Sequence, residues 1–147
     1  MSGRVLRRDG LSRVSLERRR VCGWLLLPAA QWLVAGRADA ATVASARLWP
    51  AQEYTRLILD APTPIAHQLL AVKNPDRLVL DLEGVELNSE IGRLPERVLP
   101  SDPYIQAIRV AVYRPGVLRV VLDLKSEVNP QLFALKPVGD YGHRVVL

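Results

Sequence analysis

The sequence predicts an all-β fold, a sandwich of two pseudo-symmetric four-stranded sheets that arises from an internal duplication. Three observations carry that expectation. Short runs rich in Val, Leu and Ile recur between turn residues. The same short patterns return in the same order about 63 positions later. In TRLILD, RLVLD and LRVVLD apolar residues alternate with Arg and Asp, which gives those strands one apolar face and one face that carries the charges.

Eight strands are expected, near residues 43–49, 54–60, 67–73, 77–83, 105–113, 117–123, 131–136 and 144–147. Between them lie Pro50-Ala51, Pro62-Thr63-Pro64, Asn74-Pro75-Asp76, Pro115-Gly116, Asn129-Pro130 and Gly139-Asp140. These residues fix or permit the dihedrals that a chain reversal needs. Residues 84–104 differ. They hold Gly84, Gly92, Pro95, Pro100 and Pro103, follow neither the helical nor the strand period, and read as a connector with one helical turn around 90–97. No long amphipathic helix is visible.

The connector separates two halves, 43–83 and 105–147. TRLILD from Thr55 to Asp60 matches LRVVLD from Leu118 to Asp123, with Arg56 and Asp60 falling on Arg119 and Asp123. Gln68–Lys73 falls on Gln131–Lys136, Arg77–Leu80 on Arg144–Leu147, and Arg47 on Arg109. In the second copy Leu118, Val120 and Leu122 face one way and Arg119, Val121 and Asp123 the other. Leu57 and Leu59 are set against Arg56, Ile58 and Asp60 in the first copy. A four-stranded sheet with one apolar face must bury it, and each half, read as one such sheet, can bury its face against the other.

Charge is divided unevenly. The first forty residues carry eight Arg against three acids, which accounts for the whole formal charge of +5. From Ala41 onward there are 12 Lys/Arg and 12 Asp/Glu, so no basic excess is available for a nucleic-acid backbone. The first forty residues read as an export signal. Their Arg-rich start leads to the apolar run VCGWLLLPAAQWLV, too short to span a bilayer comfortably, and then to Ala38-Asp39-Ala40, with cleavage expected after Ala40. The pair Arg18-Arg19 resembles a twin-arginine signal, although Glu17 stands where Ser or Thr is usual. The general secretory route is the alternative. Cleavage removes the only cysteine, Cys22, and with it any disulfide or thiolate chemistry, and leaves no stable membrane span.

The segments NPDRLVLDLEGVELN (Asn74 to Asn88) and DPYIQAIRVAVYRPGVLRVVLDLK (Asp102 to Lys125) resemble the AMIN domain, the amino-terminal module of periplasmic N-acetylmuramoyl-L-alanine amidases. The likeness covers about Val43 to Leu147, and an arginine-rich leader directly before it resembles the AmiC type of these enzymes. The resemblance implies two symmetric four-stranded sheets, peptidoglycan binding, and recruitment to the division septum in the periplasm, with divisome or activator proteins as further partners. It also implies that the parent protein continues through a linker into a zinc-dependent amidase domain, so zinc is expected there and no cofactor in this chain. The repeat likewise calls for an acid and an apolar residue after Leu147, so the chain reads as part of a longer protein. The sequence departs from the family's pattern after Arg109, with Val110-Ala111-Val112 where Val-Gly-Gln is expected.

Catalysis finds little support in the residues. His67 and His143 lie beside hairpin ends in equivalent halves, without ligand spacing, and read as exposed turn residues. No serine lies in a G-x-S-x-G setting, and the acids alternate with arginines on strand faces. A binding surface is better supported. Arg47, Arg56, Arg77, Arg109, Arg119 and Arg144 fall at matched places on the outer faces, with Trp49 and Tyr113 on the strand faces of Arg47 and Arg109. Arg forks suit carboxylates and aromatic rings suit sugars, the two chemistries of peptidoglycan. The alternative for these arginines is pairing across strands with Asp60, Asp81 and Asp123, which contributes only about 0.2–1 kcal/mol each. Arg47 and Arg109, whose own strands carry no acid, are the ones expected to stay open to a ligand. The competing function is a protein-docking AMIN module of an outer-membrane secretin or pilus assembly, and activity of the chain as an enzyme in itself ranks third.

Overall fold

The computed structural model describes residues 40–147. The export-signal reading, including Arg18, Arg19 and the residues before Ala40, lies outside the described residues. Eight strands form in order: β1 (Ser45–Pro50), β2 (Thr55–Ala61), β3 (Ala66–Val72), β4 (Arg77–Glu83), β5 (Ile105–Arg114), β6 (Val117–Leu124), β7 (Phe133–Leu135) and β8 (His143–Val146). A helical turn, α1 (Ser89–Gly92), and a 3-10 turn (Leu94–Arg97) lie in the connector.

The strands form two antiparallel four-stranded sheets, ordered β1-β2-β8-β7 and β3-β4-β6-β5. Two sheets are as expected, but their make-up is not. Neither half forms a sheet of its own. Each sheet takes one hairpin from each half, so that β2 pairs with β8 and β4 with β6. The reason lies between the hairpins. Pro62 and Pro64 follow β2 and cannot donate to a neighbouring strand, so the chain leaves the first sheet there instead of turning back as a third strand. The equivalent crossing after β6 passes through Asn129-Pro130.

Period-2 alternation sets the core. Leu57 and Leu59 of β2, Leu78, Leu80 and Leu82 of β4, and Leu118, Val120 and Leu122 of β6 are buried, with Val145 of β8 and Ile108 of β5 beside them. Each such side chain contributes roughly 1.5–3 kcal/mol by leaving water. The connector adds Ile91 and Leu94, both fully buried. Asn88 starts its helical turn: the side-chain Oδ1 accepts from Ile91 N at 3.1 Å, while Nδ2 donates to Val43 O at 2.7 Å. One residue therefore caps α1 and ties it to the chain ahead of β1. α1 and the 3-10 turn pack on β1, and the 3-10 turn also packs on β5, so the connector covers that flank of the sandwich.

Two glycines are dictated by geometry. Gly116, at φ +77°, follows Pro115 in the β5–β6 turn, the order a type II turn requires. At Gly142 a Cβ would lie 2.5 Å from Ala61 O, because the β7–β8 turn presses against the end of β2.

Candidate functional site

The two outer faces carry the predicted arginines. On the β1-β2-β8-β7 sheet, cross-strand register aligns Trp49 with Arg56, Arg47 with Ile58, Val146 and Phe133, and Ser45 with Asp60, Arg144 and Leu135. On the β3-β4-β6-β5 sheet it aligns Gln68 with Asp81, Arg119 and Ala111, Leu70 with Val79, Val121 and Arg109, and Val72 with Arg77, Asp123 and Ala107. The two patterns correspond rung for rung through the duplication. Arg56, Arg47 and Arg109 are exposed, while Arg77, Arg119 and Arg144 are half-buried.

Most of these arginines are engaged. Arg119 grips Asp81 with two hydrogen bonds, Nε to Oδ1 at 2.7 Å and Nη2 to Oδ2 at 2.8 Å. These bonds hold the Asp81 carboxyl below its ordinary range against the opposing cost of burial, and the same contact raises Arg119. Arg109 holds Asp123 through Nε at 3.0 Å and Nη2 at 2.8 Å. Arg77 Nε lies 3.1 Å from Asp123 Oδ1 but makes no aligned hydrogen bond, so that contact is an ion pair only. Arg47 Nη2 donates to Asp60 Oδ2 at 2.6 Å. The expectation that Arg47 and Arg109 stay open is therefore corrected. A β1 or β5 arginine reaches the acid of the adjacent hairpin strand, so a strand without its own acid is no sign of a free cation.

Three arginines also lie over tyrosine rings: Arg119 over Tyr113 at 3.4 Å, Arg144 over Tyr141 at 4.9 Å, and Arg56 over Tyr54 at 5.0 Å. Stacking fixes the guanidinium plane without using up its N–H groups. Among the described residues, Arg56 and Arg144 have no carboxylate within ion-pair distance. Asp60 Oδ1 and Arg144 Nε, on cross-strand neighbours, are shielded from solvent and make no hydrogen bond among the described residues.

The faces thus differ. On strands β1, β2 and β8 three arginines (Arg47, Arg56, Arg144) stand against one acid (Asp60). On β4, β5 and β6, counted over the residues in the rungs above, Arg119 is matched by Asp81, and Arg77 and Arg109 share Asp123. The aromatic residues lean the same way. Trp49, two-thirds exposed at 66%, Phe133, Tyr54 and Tyr141 sit on or beside the first face, and Tyr113 alone on the second.

Tyr54, Arg56 and Phe133 also line a cleft of about 570 Å³ with a floor of Leu57, Leu78 and Leu122. His67 and His143 are corrected. Both lie within strands and are half-buried, with His67 Nδ1 2.8 Å from Ile65 O. Among the described residues no three His, Cys, Asp or Glu side chains gather as a metal group would, and no helix is long and apolar enough to cross a membrane.

One residue that the sequence reading passed over is central. Asp102 is fully buried and accepts from Thr55 Oγ1 at 3.0 Å, Tyr104 N at 2.9 Å and Ile105 N at 2.8 Å. Lys125 Nζ donates to its backbone carbonyl. Asp102 therefore joins the connector to the starts of β2 and β5 and the end of β6. The local signal was Asp-Pro-Tyr, where a carboxylate can accept from the amide two residues on.

The fold and its faces define a class: a duplicated β-sandwich with hairpins exchanged between halves and arginine–aspartate ladders turned outward. The AMIN domain family matches residues 45–147, and the chain belongs to that family. It is 35% identical over 140 residues to an N-acetylmuramoyl-L-alanine amidase AmiC of Escherichia coli O6:H1, a match covering 92% of this chain and 33% of that protein. It is 38% identical over 103 residues to an N-acetylmuramoyl-L-alanine amidase AmiC of Neisseria meningitidis serogroup B, covering 70% of this chain and 25% of that protein. The chain thus spans a third or less of the relatives it matches.

Proposed function

We propose that this domain is a non-catalytic peptidoglycan-binding module that works outside the cytoplasm and holds a cell-wall amidase at the division septum. The observation that carries the reading is the outer face of the β1-β2-β8-β7 sheet, where exposed Trp49 stands opposite exposed Arg56, which has no carboxylate within ion-pair distance among the described residues. An indole face suits the C–H side of a sugar ring. A tyrosine-backed guanidinium suits the carboxylates of stem peptides. On the opposite face the arginines are occupied by their own acids, so the first face is assigned the larger share of binding. Both relatives are amidases, which favours this reading over docking in a secretin.

The test is co-sedimentation of residues 41–147 with purified sacculi. Retention is expected at low salt and should weaken as salt screens the arginines. Trp49→Ala and Arg56→Ala should each reduce retention severalfold, and Tyr113→Ala much less. Retention no better than that of a neutral control protein would overturn the reading.

A further inference from the structure

The duplication gives two equivalent trios of side chains, one on each outer face. On the β3-β4-β6-β5 sheet Asp123 of β6 receives Arg109 from β5 and lies 3.1 Å from its cross-strand neighbour on β4, Arg77. On the β1-β2-β8-β7 sheet Asp60 of β2 receives Arg47 from β1, and its cross-strand neighbour on β8 is Arg144, the counterpart of Arg77. There the likeness stops. Among the described residues Arg144 makes no ion pair with Asp60. Its guanidinium carbon lies 4.9 Å from the centre of the Tyr141 ring, and Asp60 Oδ1 and Arg144 Nε are left shielded and unmatched.

The cause is the loop between β7 and β8. Lys73 and Arg77 are separated by residues 74–76, whereas their counterparts Lys136 and Arg144 are separated by residues 137–143, four more. The longer loop carries Tyr141 and is pinned on both sides of it. Val138 and Tyr141 exchange two backbone hydrogen bonds of 3.1 Å around Gly139-Asp140, with Gly139 at φ +59°. Gly142 then packs so closely on Ala61 O that no Cβ would fit. The short loop Asn74-Pro75-Asp76 offers Arg77 no ring, and Arg77 stays beside its acid.

We infer that Tyr141 is a positioning residue for ligand binding: it holds Arg144 away from Asp60, so that Arg144 joins Arg56 as a second fork for ligand carboxylates. An exposed ion pair and a cation–π contact are of similar strength, so the placing of the ring decides between them. Two shielded groups left unmatched cost stability. A fold that accepts that cost in one copy of a repeat and not in the other departs from its own pattern where binding requires it. The Nη groups of half-buried Arg144, which make no hydrogen bond among the described residues, are the part of the side chain left for a ligand. By register Arg144 stands four residues along the strands from Arg56, ~14 Å, with Ile58 and Val146 between them. A ligand that offers several carboxylates along one chain fits the pair, as stem peptides do. The inference thus rests on the cell-wall reading.

Two measurements on residues 41–147, which contain both sheets and the core, test it separately. Tyr141 is 58% exposed, so its truncation leaves the core intact. In urea unfolding without any ligand, Asp60→Asn should lower the midpoint further in Tyr141→Ala than in the parent chain, because Arg144 has then become a partner of Asp60. Equal losses in the two backgrounds would overturn the proposal.

In co-sedimentation with purified sacculi, Arg144→Ala and Tyr141→Ala should each lower retention severalfold, and Tyr141→Phe, which keeps the ring, should be retained like the parent. Adding Tyr141→Ala to Arg144→Ala should bring no further loss, since the tyrosine acts through the arginine. Full retention of Arg144→Ala, or a further loss in the double variant, would also sink it. A parent chain that sacculi do not retain would overturn the cell-wall reading and the ligand with it, whereas the unfolding comparison would still read the placing of Arg144.

Discussion

Asp102 shows how one side chain can govern a junction. Its carboxylate receives a hydroxyl and two backbone amides while wholly removed from water, so truncation leaves those donors unmatched in the interior. Asp102→Ala should cost about 3 kcal/mol in chemical unfolding, and Thr55→Val about 1–2 kcal/mol, because it strips one donor from the same carboxylate. Asp81 acts differently. Arg119 keeps its carboxyl ionised below the ordinary aspartate range, so the folded chain takes up a proton later than the unfolded one as acid is added. The stabilisation is full above about pH 4 and fades as pH falls through the lowered value. Asp81→Asn should therefore be less stable at pH 7 and show a shallower loss of urea midpoint below pH 4. Outward placement of Arg56 and Arg119 was legible in the sequence, because alternation fixes which side of a strand faces solvent. The partners of Arg47, Arg109 and Asp102 were not, because they belong to neighbouring strands or the connector and meet only when the chain folds.

At the scale of elements, all eight strands could be read from apolar runs between turn residues. The seventh is shorter than its pattern suggests. Pro130 and Pro137 bracket it, and only Phe133 to Leu135 pair with β8. The β7–β8 turn depends on Gly142, whose missing side chain lets the turn close on Ala61 O. Gly142→Ala should lower stability by about 1–3 kcal/mol, visible as a reduced melting temperature, since the obstructing atom is backbone and cannot step aside. Nothing local in the sequence marks Gly142 over Gly139, because the close approach is made by a strand some eighty positions earlier. The connector was legible as irregular, but its two buried anchors, Ile91 and Leu94, follow no period that a single strand or a long helix would impose.

For the molecule as a whole, a repeat of hydrophobic patterns tells which side of each strand is hidden and leaves open which strand lies next to it. That is why two sheets could be foreseen and the exchange of hairpins could not. The exchange makes the halves interdependent: the pairs β2–β8 and β4–β6 that centre the sheets both run between halves. Residues 41–90 and 91–147, produced separately, should each lack stable sheet structure and regain it on mixing in equal amounts, as followed by far-ultraviolet circular dichroism. Independent folding of either piece would contradict the exchange. The same arrangement bears on ancestry. A single four-stranded unit, before any duplication, would have held two hairpins destined for different layers and no mate for either inner strand. Such a unit becomes complete only as a symmetric pair of chains trading hairpins. Fusing two genes end to end would then have converted that pair into one polypeptide, with residues 84–104 marking the seam.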